Sequence, residues 1–196
     1  MTTQPTAENL IRTYLHAKDE NRPHLMELVF AESACLKMVV KSDVISFPPV
    51  SKGLPAITDV IRKFDQTYEN VYTFCLQRPP SDARLDEFSC EWLVVMLEKE
   101  TGGARVGCGS YNWCFQQKAP FLVDRLEIVI EAMQILPPER LRPVLDWSAS
   151  LSYPWCSGEV VASTTPHIKE IQPIIDLIKS KQSESFAGIE LADSLR

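Results

Sequence analysis

The segment from Asp86 to Met133 restricts the fold more than any other part of the sequence, because it contains three consecutive strand patterns. Apolar side chains recur at every second position from Phe88 to Met96, which is typical of a strand with a buried face. Gly102-Gly103 then predicts a tight turn, since glycine tolerates the positive φ angles of short hairpins. The chain returns over 106–115 and runs out again over 121–130. The sequence therefore predicts an antiparallel meander of three long strands.

The position of this turn sets the predicted register of the meander. If the turn centres on Gly102-Gly103, Val94 lies opposite Tyr111 and Trp92 lies opposite Trp113. One face of the meander is then aromatic and almost uncharged, so another part of the chain must cover it. That face comprises Phe88, Cys90, Trp92, Val94, Gly107, Gly109, Tyr111, Trp113 and Phe115.

The opposite face of the meander is also apolar. Its members include Leu93, Val95, Leu97, Val106 and Cys108. A face of this kind is too apolar to remain in water, so we expect the protein to form a homodimer through it.

Helical patterns precede the meander. Apolar residues at helical spacing predict helices over 6–20, 24–30 and 56–68, with strands over 34–41 and 70–77. Helices that cluster ahead of a largely antiparallel sheet indicate an α+β fold rather than a parallel doubly wound one. We expect a strongly curved, mixed or antiparallel sheet wrapped around the N-terminal helices. Such a sheet would bury its aromatic face together with the Leu10 and Tyr14 stripe of the first helix.

The last third of the chain has a different pattern. Pro137-Pro138 ends the meander, and helices are predicted over 139–149 and from Thr165 onward. The second of these helices carries a stripe of isoleucines, namely Ile168, Ile171, Ile174, Ile175 and Ile178. The sequence thus predicts an α+β domain over residues 1–136 and a C-terminal helical extension over 137–196.

Composition narrows the classes of partner. A net charge of −6 argues against nucleic-acid binding, which needs a basic surface. No apolar run reaches membrane-spanning length and the N-terminus is polar, so we expect a cytoplasmic protein without membrane contact. The six cysteines form no CxxC pair and the three histidines show no ligand spacing. We therefore expect reduced cysteines, no metal site and no cofactor.

Two short motifs resemble a known superfamily. Phe30-Ala31-Glu32-Ser33-Ala34 precedes a strand, and Lys52-Gly53 followed by Ala56-Ile57 opens a helix. This arrangement resembles the nuclear transport factor 2-like superfamily, to which SnoaL-like polyketide cyclases, ketosteroid isomerases and scytalone dehydratases belong. The resemblance implies a cone-shaped, cystatin-like α+β domain with a pocket between the helices and the concave sheet face. It also implies frequent dimerisation through the outer sheet face.

The resemblance does not extend to isomerase chemistry. The family's general-base aspartate matches Met38 here, and a thioether cannot abstract a proton. The acidic group that helps to hold the oxyanion aligns near Tyr111, and only the tyrosine of the first helix has a counterpart, at Tyr14. None of the three histidines falls on a pocket-facing strand position, so the dehydratase pattern is also unsupported.

Asp124 is the candidate general base. In the alternating run from Leu122 to Ile128 it shares a face with Leu126, and burial there would raise its pKa. The alternative is a solvated residue at the start of a strand. Tyr14 and Tyr111 could donate hydrogen bonds to a carbonyl or enolate oxygen, or could pack as ordinary core aromatics.

Three functions follow from these candidates. The favoured hypothesis is a pocket protein that binds a hydrophobic small molecule. We expect its ligand to contact Met38, Cys90, Trp92, Tyr111, Trp113 and Leu126. The first alternative is a cofactor-free isomerase, cyclase or dehydratase that uses Asp124 with Tyr14 and Tyr111. The second is a non-catalytic dimerisation or interaction module that uses the isoleucine stripe.

Overall fold

The first two thirds of the chain form the predicted helices and strands. The computed structural model describes residues 4–81 and 84–193, with side chains described as far as residue 183. The elements are α1 (Ala7–Asp19), β1 (Phe30–Val40), β2 (Val50–Lys52), α2 (Leu54–Thr67), β3 (Tyr68–Cys75), β4 (Glu87–Glu98), β5 (Ala104–Phe115) and β6 (Val123–Leu136). The second predicted helix is a 3₁₀ helix, Pro23–Leu28.

The C-terminal third is helical, as predicted. It contains α3 (Leu141–Ser150), α4 (Gly158–Thr164) and α5 (Gln172–Asp193), of which α4 was not expected from the sequence. The division of the chain into a domain over 1–136 and an extension over 137–196 stays a prediction. Residues 1–3, 82–83 and 194–196 of those ranges lie outside the described residues.

The six strands form one curved, unclosed sheet in the order β2-β1-β6-β5-β4-β3. The β1 and β6 strands are parallel, and every other neighbouring pair is antiparallel. Residues of α1 and α2 share a buried core with one sheet face. The predicted α+β fold, with a mixed curved sheet around the N-terminal helices and a C-terminal helical extension, is confirmed.

The predicted register between β4 and β5 is wrong. Trp92 pairs with Gly109, and Val94 pairs with Gly107, four residues before the predicted partner Tyr111. The reason is that β4 ends at Glu98, before the predicted turn, so the loop is longer than two residues. The loop closes where the Glu98 N–H donates to the Gly103 carbonyl at 2.9 Å. Because the shift is an even number of residues, every side chain keeps its predicted face.

The aromatic face of the meander lies against α1 and α2, and the outer face is buried by the C-terminal helices. Leu93, Val95, Val106 and Cys108 of the outer face belong to a second core with α3, α4 and α5. The five isoleucines of the predicted stripe are all buried in this second core.

Two expectations change because this outer face is covered within the chain itself. The premise that it stays exposed and drives homodimerisation is wrong, and dimerisation stays a prediction without that support. The interaction-module hypothesis also loses its surface, since the isoleucine stripe already has a partner in the same chain.

Close contact between strands places Trp92 over Gly109. A Cβ atom built on Gly109 would lie 1.8 Å from the Val129 carbonyl oxygen and 2.7 Å from Cζ2 of Trp92. The indole of Trp92 thus occupies the space that a side chain at position 109 would take.

Gly109→Ala should therefore destabilise the protein by about 1–3 kcal/mol or more, because the backbone of β6 must move. Gly107→Ala is the matched control on the same strand and face. Its Cβ meets the flexible end of Met133 at 2.5 Å, although the Ala132 carbonyl oxygen lies at 3.0 Å. We expect Gly107→Ala to change stability by less than about 1 kcal/mol. Equal losses for the two variants in urea unfolding would contradict this account of the β5–β6 contact.

Candidate functional site

A cavity of about 60 Å³ lies between α1, α2 and the concave face of the sheet. Apolar side chains from α2, β1, β4 and β6 form most of its wall. Its polar lining comes from Tyr14 and Lys18 of α1, Thr73 of β3, and Trp92 and Tyr111 of the meander. A cavity needs roughly 10–15 Å³ to hold one water molecule, so this cavity has room for a few waters or one small chemical group.

Half of the predicted ligand contacts lie on the cavity wall. Met38, Trp92 and Tyr111 line the cavity. The others, Cys90, Trp113 and Leu126, are buried in the same core but do not line it. Trp113 packs edge to face against Tyr14, with ring centroids 5.2 Å apart, and Tyr14 rather than Trp113 lines the cavity.

Asp124 does not line the cavity, and its position agrees with the alternative of a solvated residue near the start of a strand. Its neighbours Val123 and Arg125 pair with Phe115 and Cys114, which are consecutive residues of β5. Asp124 is therefore the extra residue of a β-bulge, and such a residue breaks the alternation of the strand. Its side chain is exposed, beside a shallow surface depression. The sequence concealed this, because Leu122 and Val123 are both apolar and either of them can begin the alternation.

Tyr14 and Tyr111 do come together at the cavity. Their ring centroids lie 6.0 Å apart with the planes nearly perpendicular, and both residues are buried. Burial raises the pKa of each phenol, and the negative charge of Asp19 raises both further. Both phenols therefore stay protonated at neutral pH, so they can donate hydrogen bonds but cannot serve as bases.

A charged cluster that sequence reasoning missed lies beside the two tyrosines. Lys18 and Asp19 end α1, and their side chains are only 9% and 1% exposed. The Lys18 ammonium donates to Asp19 Oδ1 at 2.5 Å and to Thr73 Oγ1 at 2.7 Å. It also lies 5.0 Å from the ring centroid of Phe64. The cavity wall thus includes a buried cation held in place by three different elements.

Asp19 is fully engaged by hydrogen-bond donors. Besides Lys18, Oδ1 accepts the Thr73 hydroxyl at 2.9 Å, and Oδ2 accepts the Thr73 N–H at 2.8 Å. Tyr153, from the loop after α3, donates its hydroxyl to Oδ2 at 3.1 Å. Four donors on one carboxylate leave it little capacity to abstract a proton from a ligand.

The signal for this cluster was present in the spacing of α1. Lys18 lies four residues after Tyr14 and seven after Ile11, so it continues the apolar stripe of the helix. A charged residue on a buried stripe is uncommon unless it is paired, and the pairing here comes from β3 and the C-terminal loop. Only the fold brings those partners together.

A larger groove of about 510 Å³ lies outside the cavity, between the 44–48 loop and α2. Four residues border both spaces, namely Ile45, Phe47, Val60 and Phe64. The cavity and the groove therefore share part of their walls. An elongated molecule could place a small group in the cavity and its body in the groove.

The cavity wall supplies donors but no strong acceptor. Among the described residues that line it there is no carboxylate and no histidine. The buried Nε1 of Trp92 has no hydrogen-bond partner among the described residues. Groups of three or more metal-ligating side chains are absent from residues 4–81 and 84–193. Within the same ranges, no helix has the length and apolarity needed to span a membrane.

At alkaline pH, the free energy of unfolding should decline less steeply in variants that lack the Tyr14 or Tyr111 hydroxyl than in the wild type. The pKa of Tyr14 and of Tyr111 is raised on folding, so their stabilising effect is complete below the unfolded value near pH 10 and declines above it. Each phenol should contribute a slope of about 1.4 kcal/mol per pH unit above that point. Urea unfolding at pH 9, 10 and 11 should show a shallower decline for Tyr14→Phe and Tyr111→Phe than for the wild type. Parallel declines for wild type and variants would contradict the assigned burial.

Removing the charge of Asp19 should be strongly destabilising. Asp19→Asn leaves the buried Lys18 ammonium without a counter-ion, which costs about 3–5 kcal/mol in comparable buried pairs. Asp146→Asn is the matched control, because Asp146 and Arg142 form an exposed pair. That control should change stability by less than about 1 kcal/mol. A similar small effect for Asp19→Asn in urea unfolding would mean that Lys18 reaches solvent in solution.

Comparison with known proteins identifies the fold. No protein-family model and no curated protein sequence matches the chain. A protein from Catenulispora acidiphila with a ketosteroid isomerase-like fold gives a TM-score of 0.49 at 13% identity, over 63% of this chain and 85% of that one. A hexachlorocyclohexane dehydrochlorinase gives 0.53 at 11% identity, over 65% and 84%. A Mycobacterium tuberculosis protein gives 0.51 at 16% identity, over 69% and 99%. With its curved six-stranded sheet and N-terminal helices, this chain has the fold of the nuclear transport factor 2-like superfamily.

Proposed function

We propose that the protein binds a small, mainly apolar molecule in the cavity and the adjoining groove, and that it orients this molecule by donating hydrogen bonds. The observation that carries the proposal is the composition of the cavity wall. It is apolar except for Tyr14, Lys18, Thr73, Trp92 and Tyr111. Cavities with an apolar lining and a few convergent polar groups are typical ligand sites.

The polar groups of the wall favour binding over proton transfer. General acid–base catalysis needs a group that can accept a proton within hydrogen-bond reach of the ligand. The two phenols are held protonated by their raised pKa, and the carboxylate of Asp19 is occupied by four donors. Asp124, on which the isomerase, cyclase or dehydratase hypothesis depended, is exposed outside the cavity. We therefore propose a binding protein that needs no cofactor for this role.

The size of the two spaces indicates how the ligand lies. The cavity of about 60 Å³ is too small for a drug-sized molecule, whereas the groove of about 510 Å³ lies in the range of ordinary ligand sites. The ligand would thus extend past Phe64, with a small group inside and its body outside.

Enlarging one side chain of the wall should reduce affinity. Val94 lines the cavity, whereas its neighbour Val95 lies in the second core on the opposite sheet face. Both are buried in β4, so Val94→Ile and Val95→Ile add the same methylene to opposite faces. We expect Val94→Ile to weaken binding of α-methylstyrene, an apolar aromatic probe, by about tenfold or more. Val95→Ile should leave the affinity within about twofold of the wild type.

Titration calorimetry or ligand-observed NMR measures this difference. Failure of the wild type to bind apolar aromatic probes would overturn the proposed function. Equal losses in both variants would place the binding site elsewhere.

A further inference from the structure

We infer that Lys18 binds a neutral oxygen acceptor of the ligand, such as a ketone or amide carbonyl, and is the main polar determinant of ligand choice. This inference rests on the proposed function, since it names the chemical class of molecule that the same cavity takes. It differs from the expectation drawn from the superfamily resemblance, in which the tyrosines would hold the ligand oxygen.

The first argument is the unused donor capacity of Lys18. An ammonium group has three N–H donors, and two of them are accepted by Asp19 Oδ1 and Thr73 Oγ1. The third has no acceptor among the described residues, and the ring of Phe64 lies 5.0 Å from Nζ. Lys18 also lies on the cavity wall. A ligand oxygen is the partner that would complete this donor set.

The second argument is the position of Lys18 relative to the groove. Phe64 contacts the ammonium and borders both the cavity and the groove. A molecule that enters from the groove passes Phe64 and can reach Nζ. The acceptor of the ligand would then lie in the cavity, while its apolar body stays in the larger space.

The third argument selects a neutral acceptor over an anion. Asp19 already neutralises Lys18, so a ligand carboxylate would add an uncompensated negative charge to an apolar cavity. Burial raises the pKa of Tyr14, Tyr111 and Cys75, and the charge of Asp19 raises each of them further. All three shifts have the same sign, which means that this region disfavours negative charge. A carbonyl accepts the hydrogen bond without adding any.

The geometry of the cluster also assigns a role to the C-terminal extension. Tyr153 donates to Asp19 Oδ2, and the Cys75 N–H donates to the Pro154 carbonyl at 2.8 Å. The loop after α3 thus holds the Asp19 carboxylate in place, and this carboxylate in turn holds the Lys18 ammonium. Tyr153 therefore contributes to the position of Lys18 through Asp19.

Three probes with the same number of non-hydrogen atoms test the inference. They are acetophenone, α-methylstyrene and benzoate, which differ in carrying a neutral carbonyl, no oxygen and a carboxylate. Wild-type protein should bind acetophenone about tenfold more tightly than α-methylstyrene, since the added hydrogen bond has a charged donor. Benzoate should bind most weakly.

Variants then locate the carbonyl. The double variant Lys18→Met with Asp19→Asn removes both charges together, which avoids leaving one of them buried alone. It should bind acetophenone and α-methylstyrene with equal affinity. Tyr14→Phe and Tyr111→Phe are the matched controls, because they remove a donor from the same wall. Each should keep most of the preference for acetophenone.

The outcomes separate this inference from the proposed function. Equal wild-type affinities for acetophenone and α-methylstyrene, or tightest binding of benzoate, would overturn the role of Lys18 while the binding function stands. Survival of the preference in the double variant, or its loss in a tyrosine variant, would assign the carbonyl to the tyrosines instead. The wild-type ranking needs no variant to fold. Absence of binding by all three probes would overturn the proposed function itself.

Discussion

The sheet has two apolar faces over β4 and β5, and both must be removed from water. Side chains such as Trp92 and Tyr111 point to one face, and side chains such as Leu93 and Val106 point to the other. The chain meets this requirement by placing α1 and α2 on the concave face and α3 to α5 on the outer one. Each face buries a separate core, and the hydrophobic effect makes both necessary for a stable sheet in water.

The cavity is a part of the concave face that side chains do not fill, and the proposed function depends on it. The aromatic rings of Tyr14, Trp113 and Phe115 pack together on the concave face, with centroids of successive pairs 5.2 and 6.5 Å apart. Tyr14 also lines the cavity, so the packed rings border the cavity on one side. The packed rings that stabilise the domain therefore form one boundary of the cavity. The outer groove, between the 44–48 loop and α2, shares part of its wall with this cavity.

Periodicity predicted which face each side chain occupies, but not where strands slip. The alternation in β4 and β5 assigned the faces of Trp92 and Tyr111 correctly, because an even shift of register keeps the faces. The same reasoning failed at Asp124, where a bulge inserts one residue and turns the carboxylate to solvent. Loop length and bulges depend on contacts between strands, and local spacing does not record those contacts. The Lys18 cluster was missed for a related reason, since its partners come from β3 and from a loop about 130 residues later in the chain.

The buried ion pair joins the C-terminal third of the chain to the site in the first two thirds. Asp19 receives hydrogen bonds from Thr73 on an edge strand and from Tyr153 beyond α3. The free edge of β3 forms backbone hydrogen bonds with the segment around Trp155, and Cys75 and Trp155 make an isolated parallel β-bridge. A buried charge is tolerated only when its partners are held in place, and here the extension holds one of them. The extension therefore does more than cover the outer sheet face. Through Tyr153 the extension stabilises the Asp19 carboxylate, which keeps the Lys18 ammonium at the cavity wall. The C-terminal extension therefore buries the outer sheet face and also positions the charged pair beside the cavity on the concave face.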